Sequence, residues 1–209
     1  EHVFVLCHTK LITLANGDRV SLTSVMNITE NKKFEQRLLV QSRMDALTKI
    51  CNRGYGEAQI EKLLKAKKNG MFLLFDVDKF KHINDTYGHL AGDKVIKMVA
   101  SIDDKFARAH GGFACRYGGE EFLLVLPGYD ETQALPILEE MHKEIQTTIV
   151  QYDDKEIPVN VCIGLSAYPT ICRDTNILVN RADKSMYYGK KHGRGRLVVD
   201  NPAVDDMQS

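Results

Sequence analysis

Two short acidic clusters define the chemistry open to this chain. One is Arg116-Tyr117-Gly118-Gly119-Glu120-Glu121-Phe122, with two glycines and two carboxylates in what reads as a tight turn between strands. Glycines take positive φ readily and leave no side chain in the way, so a triphosphate can lie against the backbone at Gly118 and Gly119. Glu120 and Glu121 can hold a divalent cation beside it. Gly-Gly followed by two acids is also an ordinary solvated hairpin turn, and taken alone the turn favours that reading. The other cluster shifts the balance. Met71-Phe72-Leu73-Leu74-Phe75 is a continuous apolar run, read as a strand buried on both faces, and Asp76-Val77-Asp78 follows at its C-terminal end. Carboxylates there are costly unless paired or metal-bound. Ligands of open α/β sheets gather beyond the carboxyl ends of the strands, so Asp76 sits where a catalytic metal is expected. The two clusters are expected to face one another across neighbouring strands.

Bringing two such clusters together takes a sheet. The periodicity predicts a helix over 53–68, a strand over 71–77, a long helix over 89–108, a hairpin over 113–126 through Gly118-Gly119, and a helix over 130–149. A strand over 157–168, a helix over 175–191 and a closing strand over 195–199 complete the pattern. This alternation implies an α/β (α+β) sandwich, a mixed central β-sheet wrapped by helices. Lys79-Phe80-Lys81 directly follows the acidic strand and opens a short helix, so its backbone N–H groups can face phosphate oxygens.

Beyond Asp78 the chain reads Lys79-Phe80-Lys81-His82-Ile83-Asn84-Asp85-Thr86-Tyr87-Gly88-His89-Leu90-Ala91-Gly92-Asp93. With Asp76 and Asp78 in front, it fits DxDxFKxxNDxxGHxxGD at every fixed position. Ala182-Asp183, Tyr187, Lys190, Gly193 and Arg194 fit ADxxxYxxKxxGR, and Asp45-Ala46-Leu47-Thr48 with Asn52-Arg53 fits DxLTxxxNR. Together with the GGEEF spelling of the turn, these separated motifs resemble the GGDEF domain of the diguanylate cyclases. The resemblance implies a five-stranded sheet wrapped by helices, similar to class III nucleotide cyclases and polymerase palms. It implies condensation of two GTP into cyclic di-GMP with release of pyrophosphate, by a homodimer with one GTP on each subunit. It also implies dependence on Mg²⁺, with Mn²⁺ as the alternative ion.

Residue roles follow from the same resemblance. Asp76 and Glu120 bind Mg²⁺ through their carboxylates, with the Val77 carbonyl as a further oxygen ligand, which suits a hard cation. Glu121 either completes a second metal position or helps to deprotonate the attacking 3′-hydroxyl. Lys190 and Arg194, one helical turn apart on the last helix, reach the phosphates. The competing reading there is a solvated basic helix end, because Lys190, Lys191, His192, Arg194 and Arg196 cluster. Asn84 and Asp93 bind guanine, since a carboxylate accepts from N1–H and the exocyclic amine, groups that adenine does not present in that arrangement.

Many family members carry Arg-x-x-Asp five residues before the two glycines, forming a product-binding inhibitory site. The corresponding positions here are Ala109-His110-Gly111-Gly112, and Arg108 is one residue out of register. Inhibition by cyclic di-GMP through this surface is therefore expected to be absent or weak. The alternative function is a noncatalytic module that binds GTP or cyclic di-GMP. Such degenerate receptors generally lose the turn carboxylates or the metal Asp, and this chain keeps both.

The first 44 residues differ in kind. Phe4 to Cys7 and Lys10 to Leu14 read as strands, Asn16-Gly17-Asp18 as a hairpin turn, and Val20, Leu22, Met26 and Ile28 fall on one face of the next strand. Asn27-Ile28-Thr29-Glu30 resembles the D-I-T-E exit of PAS sensory domains, with Asn27 in place of the usual Asp. Residues 1–29 thus read as the C-terminal fragment of a PAS-like domain, or as a β extension unique to this protein. Residues 30–44 read as a linker helix capped by Thr29, with Phe34, Leu38 and Gln41 at heptad-like spacing. That spacing suits pairing with a twin helix or packing on its own domain. Residues 45–199 form the catalytic domain and 200–209 a tail.

Of 209 residues, 44% are hydrophobic, enough for one full core and part of another. The balance of 28 basic and 28 acidic residues argues against nucleic-acid or membrane-surface binding. The longest apolar runs are too short to span a bilayer, and Glu1-His2 begins no signal peptide. A cytoplasmic location is expected, with any membrane anchor lying upstream in a parent protein. Five cysteines, at positions 7, 51, 115, 162 and 172, show no CxxC spacing, and the histidines show no HExxH. Metal binding through sulfur or imidazole is therefore not expected, and the odd cysteine count fits a reducing compartment.

Overall fold

The computed structural model describes residues 3–168 and 174–200, and the chain divides into two compact units between Arg43 and Met44. The expected tail beyond Asp200, and Cys172, lie outside the described residues.

In the first unit, β1 (Val5–Thr13) and β2 (Arg19–Asn27) form an antiparallel hairpin. A single strand thus replaces the two expected before the turn, because His8 and Thr9 continue the ladder that the apolar pattern interrupts. The turn falls at Asn16-Gly17-Asp18: the Leu14 N–H donates to the Asp18 carbonyl at 2.8 Å, and Gly17 has φ +89°. Register sets Leu6 against Met26 and Ile12 against Val20, and nearly every residue of both strands is exposed. α1 (Thr29–Gln41) follows. Thr29 does not act as its cap. Its hydroxyl oxygen accepts from the Phe4 N–H at 2.9 Å, while Asn27 Oδ1 accepts from the Thr29 N–H at 2.9 Å.

The second unit runs β3 (Cys51–Asn52), α2 (Arg53–Lys65), β4 (Gly70–Val77), α3 (Phe80–Tyr87), α4 (His89–Ala109), β5 (Phe113–Arg116), β6 (Glu121–Pro127) and α5 (Glu131–Thr147). It closes with β7 (Val150–Tyr152), β8 (Lys155–Ile157), β9 (Val161–Tyr168), α6 (Thr175–Lys191) and β10 (Leu197–Val199). Six strands share one sheet in the order β10-β9-β4-β6-β5-β3. β4 is antiparallel to β6 and β9, whereas β10 runs parallel to β9 and β3 parallel to β5, so the sheet is mixed. It exceeds the expected five strands by the two-residue edge strand β3.

The continuous apolar run is explained by cover on both faces. Met71, Leu73 and Phe75 pack with Val95, Val99 and Phe106 of α4 and Leu138 and Met141 of α5. Phe72 and Leu74 pack with Ile60 of α2 and Leu178, Ala182 and Met186 of α6. Alternate residues of one strand thus anchor two cores, and every residue of β4 is buried. The starts of α2 and α5 follow side-chain caps: Asn52 Oδ1 accepts from the Tyr55 N–H at 3.0 Å, and Asp130 and Gln133 form a capping box. α5 tolerates Pro136. An unexpected hairpin, β7–β8, precedes the strand expected over 157–168, which starts only at Val161, and Asp153 takes φ +51° at the hairpin's turn. No helix among the described residues is long and apolar enough to cross a membrane.

Candidate active site

The antiparallel register of β4 and β6 sets Asp76 directly opposite Glu121, and the Val77 N–H donates to the Glu120 carbonyl at 3.2 Å. The two acidic clusters therefore meet across neighbouring strands. α6 adds a cation, with Lys190 Nζ lying 2.9 Å from Asp76 Oδ1. Burial pushes the Asp76 carboxyl up to about 6; Lys190 opposes that rise, and the charges of Glu120 and Glu121 add to it.

Arg116 closes the turn, donating from Nη2 and Nε to the Gly119 carbonyl at 2.7 and 3.1 Å. Neither turn glycine has a positive φ, so the expectation that left-handed backbone explains them is corrected. The other expected reason, the missing side chain, is what their surroundings support. A Cβ at Gly118 would fall 2.5 Å from Glu121 Oε2, and nothing lies within 4 Å of one at Gly119, which leaves that backbone open to a ligand. Arg116 Nη1 also reaches Asp45 Oδ1 at 3.2 Å, and Asp45 Oδ1 accepts from the Thr48 amide at 2.8 Å and the Thr48 hydroxyl at 2.7 Å. Burial would raise the Asp45 carboxyl, but the Thr48 bonds and Arg116 outweigh it and hold it below the usual range. Sequence reasoning assigned no role to Asp45 or Arg116; their places in two of the motifs were the available signal.

Lys79, at φ +56°, is the N-cap of α3, and no side chain caps that end. Lys81 is exposed, and Phe80 and Asn84 turn toward α4. A Cβ on Gly92 would fall 1.9 Å from Asn84 Oδ1 and 3.1 Å from the Phe80 ring, so glycine is what lets α3 and α4 close here. Half-buried Asp93 is the next residue. One expected position is corrected: α6 ends at Lys191, so Arg194 lies in the following loop at φ +61°, not one turn along the helix from Lys190. There it lines a cleft of about 570 Å³ together with Lys79, His82 and Asn160.

Among the described residues, no three His, Cys, Asp or Glu side chains converge so as to enclose a metal by themselves. The donors at hand are the carboxylates of Asp76, Glu120 and Glu121 and the Val77 carbonyl. They fit a hard cation, because a divalent ion offsets both the burial that raises the Asp76 carboxyl and the repulsion from Glu120 and Glu121 that adds to it. So sparse a set leaves positions for water and phosphate oxygens, the habit of Mg²⁺. At the end of α4, Arg108 pairs with Asp104 at 2.6 Å, and a Cβ on Gly112 would fall 2.1 Å from the Val125 carbonyl oxygen.

The family profile described as "Diguanylate cyclase, GGDEF domain" matches residues 42–196. Diguanylate cyclase A of Treponema denticola is 39% identical over 133 residues, 64% of this chain and 36% of that protein. Diguanylate cyclase DgcM of Escherichia coli K12 is 34% identical over 189 residues, 88% of this chain and 44% of that protein. Among solved structures, the coiled coil and GGDEF domain of DgcB from Caulobacter crescentus, in complex with c-di-GMP, aligns with a TM-score of 0.75 at 26% identity. That alignment covers 82% of this chain and 93% of the other. The chain belongs to the GGDEF family of diguanylate cyclases. It spans less than half the length of these two curated relatives.

Proposed function

We propose that this chain is the diguanylate cyclase output domain of a signalling protein, condensing two GTP into one cyclic di-GMP and two pyrophosphates as a homodimer with one GTP on each subunit. The observation that carries this reading is Asp76 in register with Glu121, with Lys190 on Asp76, at the end of a strand buried throughout. In each half-reaction the 3′-oxygen of one GTP attacks the α-phosphorus of the other in line. One P–O bond forms, the bond to pyrophosphate breaks, and the hydroxyl proton leaves.

Asn84 and Asp93 orient the guanine. Lys79, Phe80 and Lys81 present the uncapped end of α3 to the phosphates, and the open backbone of Gly119, next to Gly118, lets the nucleotide approach the turn. Lys190 and Arg194 neutralise the departing pyrophosphate, Lys190 exchanging Asp76 for a phosphate oxygen as its partner. Glu121 takes the hydroxyl proton or serves a second metal position. Held by Asp76, Glu120 and the Val77 carbonyl, Mg²⁺ or Mn²⁺ would supply Lewis-acid stabilisation of the charge on the phosphates. The N-terminal hairpin acts as the exit of a PAS-like sensory domain, and α1 as the linker that brings two catalytic domains together in the cytoplasm.

Incubating the purified chain with Mg²⁺ and equal GTP and ATP tests the reading. Cyclic di-GMP and pyrophosphate are the expected products. Predominantly adenine-containing cyclic dinucleotides would overturn the role of Asp93, which rejects adenine by leaving its own acceptors unmatched. GTP bound without turnover would favour a noncatalytic receptor.

A further inference from the structure

Asp78, the second acid of the Asp-Val-Asp cluster, has no part in the chemistry above, yet it is only 8% exposed. Its Oδ2 accepts from the Gly195 N–H at 2.8 Å and from the Cys162 thiol at 3.5 Å. Its own N–H donates to the Asn160 carbonyl at 2.8 Å. Gly195 directly follows Arg194 in a loop whose three successive residues are all left-handed: Gly193 at φ +116°, Arg194 at +61° and Gly195 at +54°. A non-glycine residue in that region is strained and persists only where its surroundings over-determine it. The loop's other ties, from the Arg194 N–H to the Gly189 carbonyl at 3.1 Å, from the Gln146 side-chain amide to the Gly195 carbonyl at 3.5 Å and from the Ile163 N–H to the Arg196 carbonyl at 2.9 Å, lead to α6, α5 and β9. The bond from Gly195 to Asp78 leads to the end of β4, two residues past Asp76.

We propose that Asp78 is the positioning residue for Arg194: its carboxylate clamps the loop backbone so that the guanidinium stands at the phosphate end of the site. This rests on the reading of Arg194 as a phosphate ligand. A carboxylate suits the task because it accepts an N–H more strongly than a neutral oxygen does. It also bonds the backbone of the loop, which leaves the Arg194 side chain unencumbered for substrate. The two acids of the cluster therefore divide the work, Asp76 toward the ion and Asp78 toward the loop.

The test uses the full chain. Amide exchange of Gly195, followed by NMR without nucleotide, needs no turnover. The proposal expects it slowed at least about tenfold relative to an unprotected loop amide, the effect of about one charge-assisted hydrogen bond; unprotected exchange overturns it. Asp78→Asn fills the same volume and keeps an acceptor oxygen but loses the charge, so protection should weaken only in part and KM for GTP should rise by less than about threefold. Loss of both in this variant overturns the proposal. Asp78→Ser is too short to reach Gly195, and it should raise KM about tenfold with a smaller change in kcat. In an Arg194→Ala background it should add nothing, whereas additive losses would give Asp78 a separate role and overturn the proposal. If Asp78→Ser fails to fold, the unaltered protein and Asp78→Asn carry the test alone. An unaltered chain that makes no cyclic di-GMP would refute the proposed activity and leave the exchange result standing.

Discussion

A carboxylate that binds magnesium and one that merely decorates a turn respond differently to losing a charge. Glu120 is half-exposed in the Arg116-closed turn and lies outside both cores. Glu120→Gln should therefore leave thermal stability within about 0.5 kcal/mol, while cyclic di-GMP synthesis falls at least about a hundredfold through loss of a charged ligand. A steady-state assay beside a melting curve decides it: near-normal turnover would remove Glu120 from the site. Glu120, Asp76 and Lys190 were legible in the sequence because each sits in a short motif with fixed spacing. The brace between Asp45 and Arg116 was not, since its partners are 71 residues apart and only the β3–β5 pairing brings them together. Of the two reasons the sequence offered for Gly118, the positive φ is not used and the missing side chain is, but sequence could not show that Glu121 takes up the space.

At the scale of elements, α4 carries an acid in its apolar stripe. Asp103 continues the spacing of Ile96, Ala100 and Ala107, is fully buried, and neither of its oxygens finds a hydrogen-bond donor among the described residues. Burial, with Asp104 adding repulsion, pushes its carboxyl well above the usual range. The folded state therefore holds a proton that the unfolded state releases. The associated stability is fully present below about 3.8 and is lost as pH rises through the raised folded value, at up to on the order of 1 kcal/mol per pH unit. Asp76 contributes with the same sign up to about 6. Subtracting the denaturation profile of Asp103→Asn from that of the unaltered protein isolates Asp103, and a difference that does not vary with pH would contradict its raised carboxyl. The C-terminal end of α4 makes a second prediction. With Ala109 and Gly112 in place of Arg and Asp, and Arg108 held by Asp104, added cyclic di-GMP should inhibit only in competition with GTP. A noncompetitive pattern abolished by substitutions at 108–112 would contradict it. Helices and inner strands were legible because their apolar periods are long. β7–β8 was not, because Gln151-Tyr152-Asp153-Asp154-Lys155-Glu156 is polar throughout and its turn uses Asp153 where glycine would have signalled one. Arg194 was misplaced because the motif's spacing carried it onto the last helix, although that helix ends at Lys191, three residues short of it, as its apolar period indicated.

For the whole molecule, the proposed reaction puts one GTP on each catalytic domain. On that proposal two copies must meet face to face, and α1 acting as a linker would raise the effective concentration of the halves. Specific activity should therefore rise with protein concentration. Cutting the chain just before Asp45 should lower activity at dilute concentrations and spare GTP binding. A dilution series run beside sedimentation checks this, and undiminished activity per protomer in a monomeric sample would exclude the two-copy reaction.

β4 has a consequence for how the molecule fails on heating. It is bonded along both edges and buried at every residue, so it can come apart only when the whole sheet does. The one-sided α3 and the loop at Arg194, where Ile83 is the one fully buried side chain on that short helix, can loosen at lower cost. On warming, the grip on the nucleotide should slacken while the acid-bearing strand is still in place. The temperature at which the protein stops working would then lie below the temperature at which it melts, and brief overheating short of melting should be reversible on cooling.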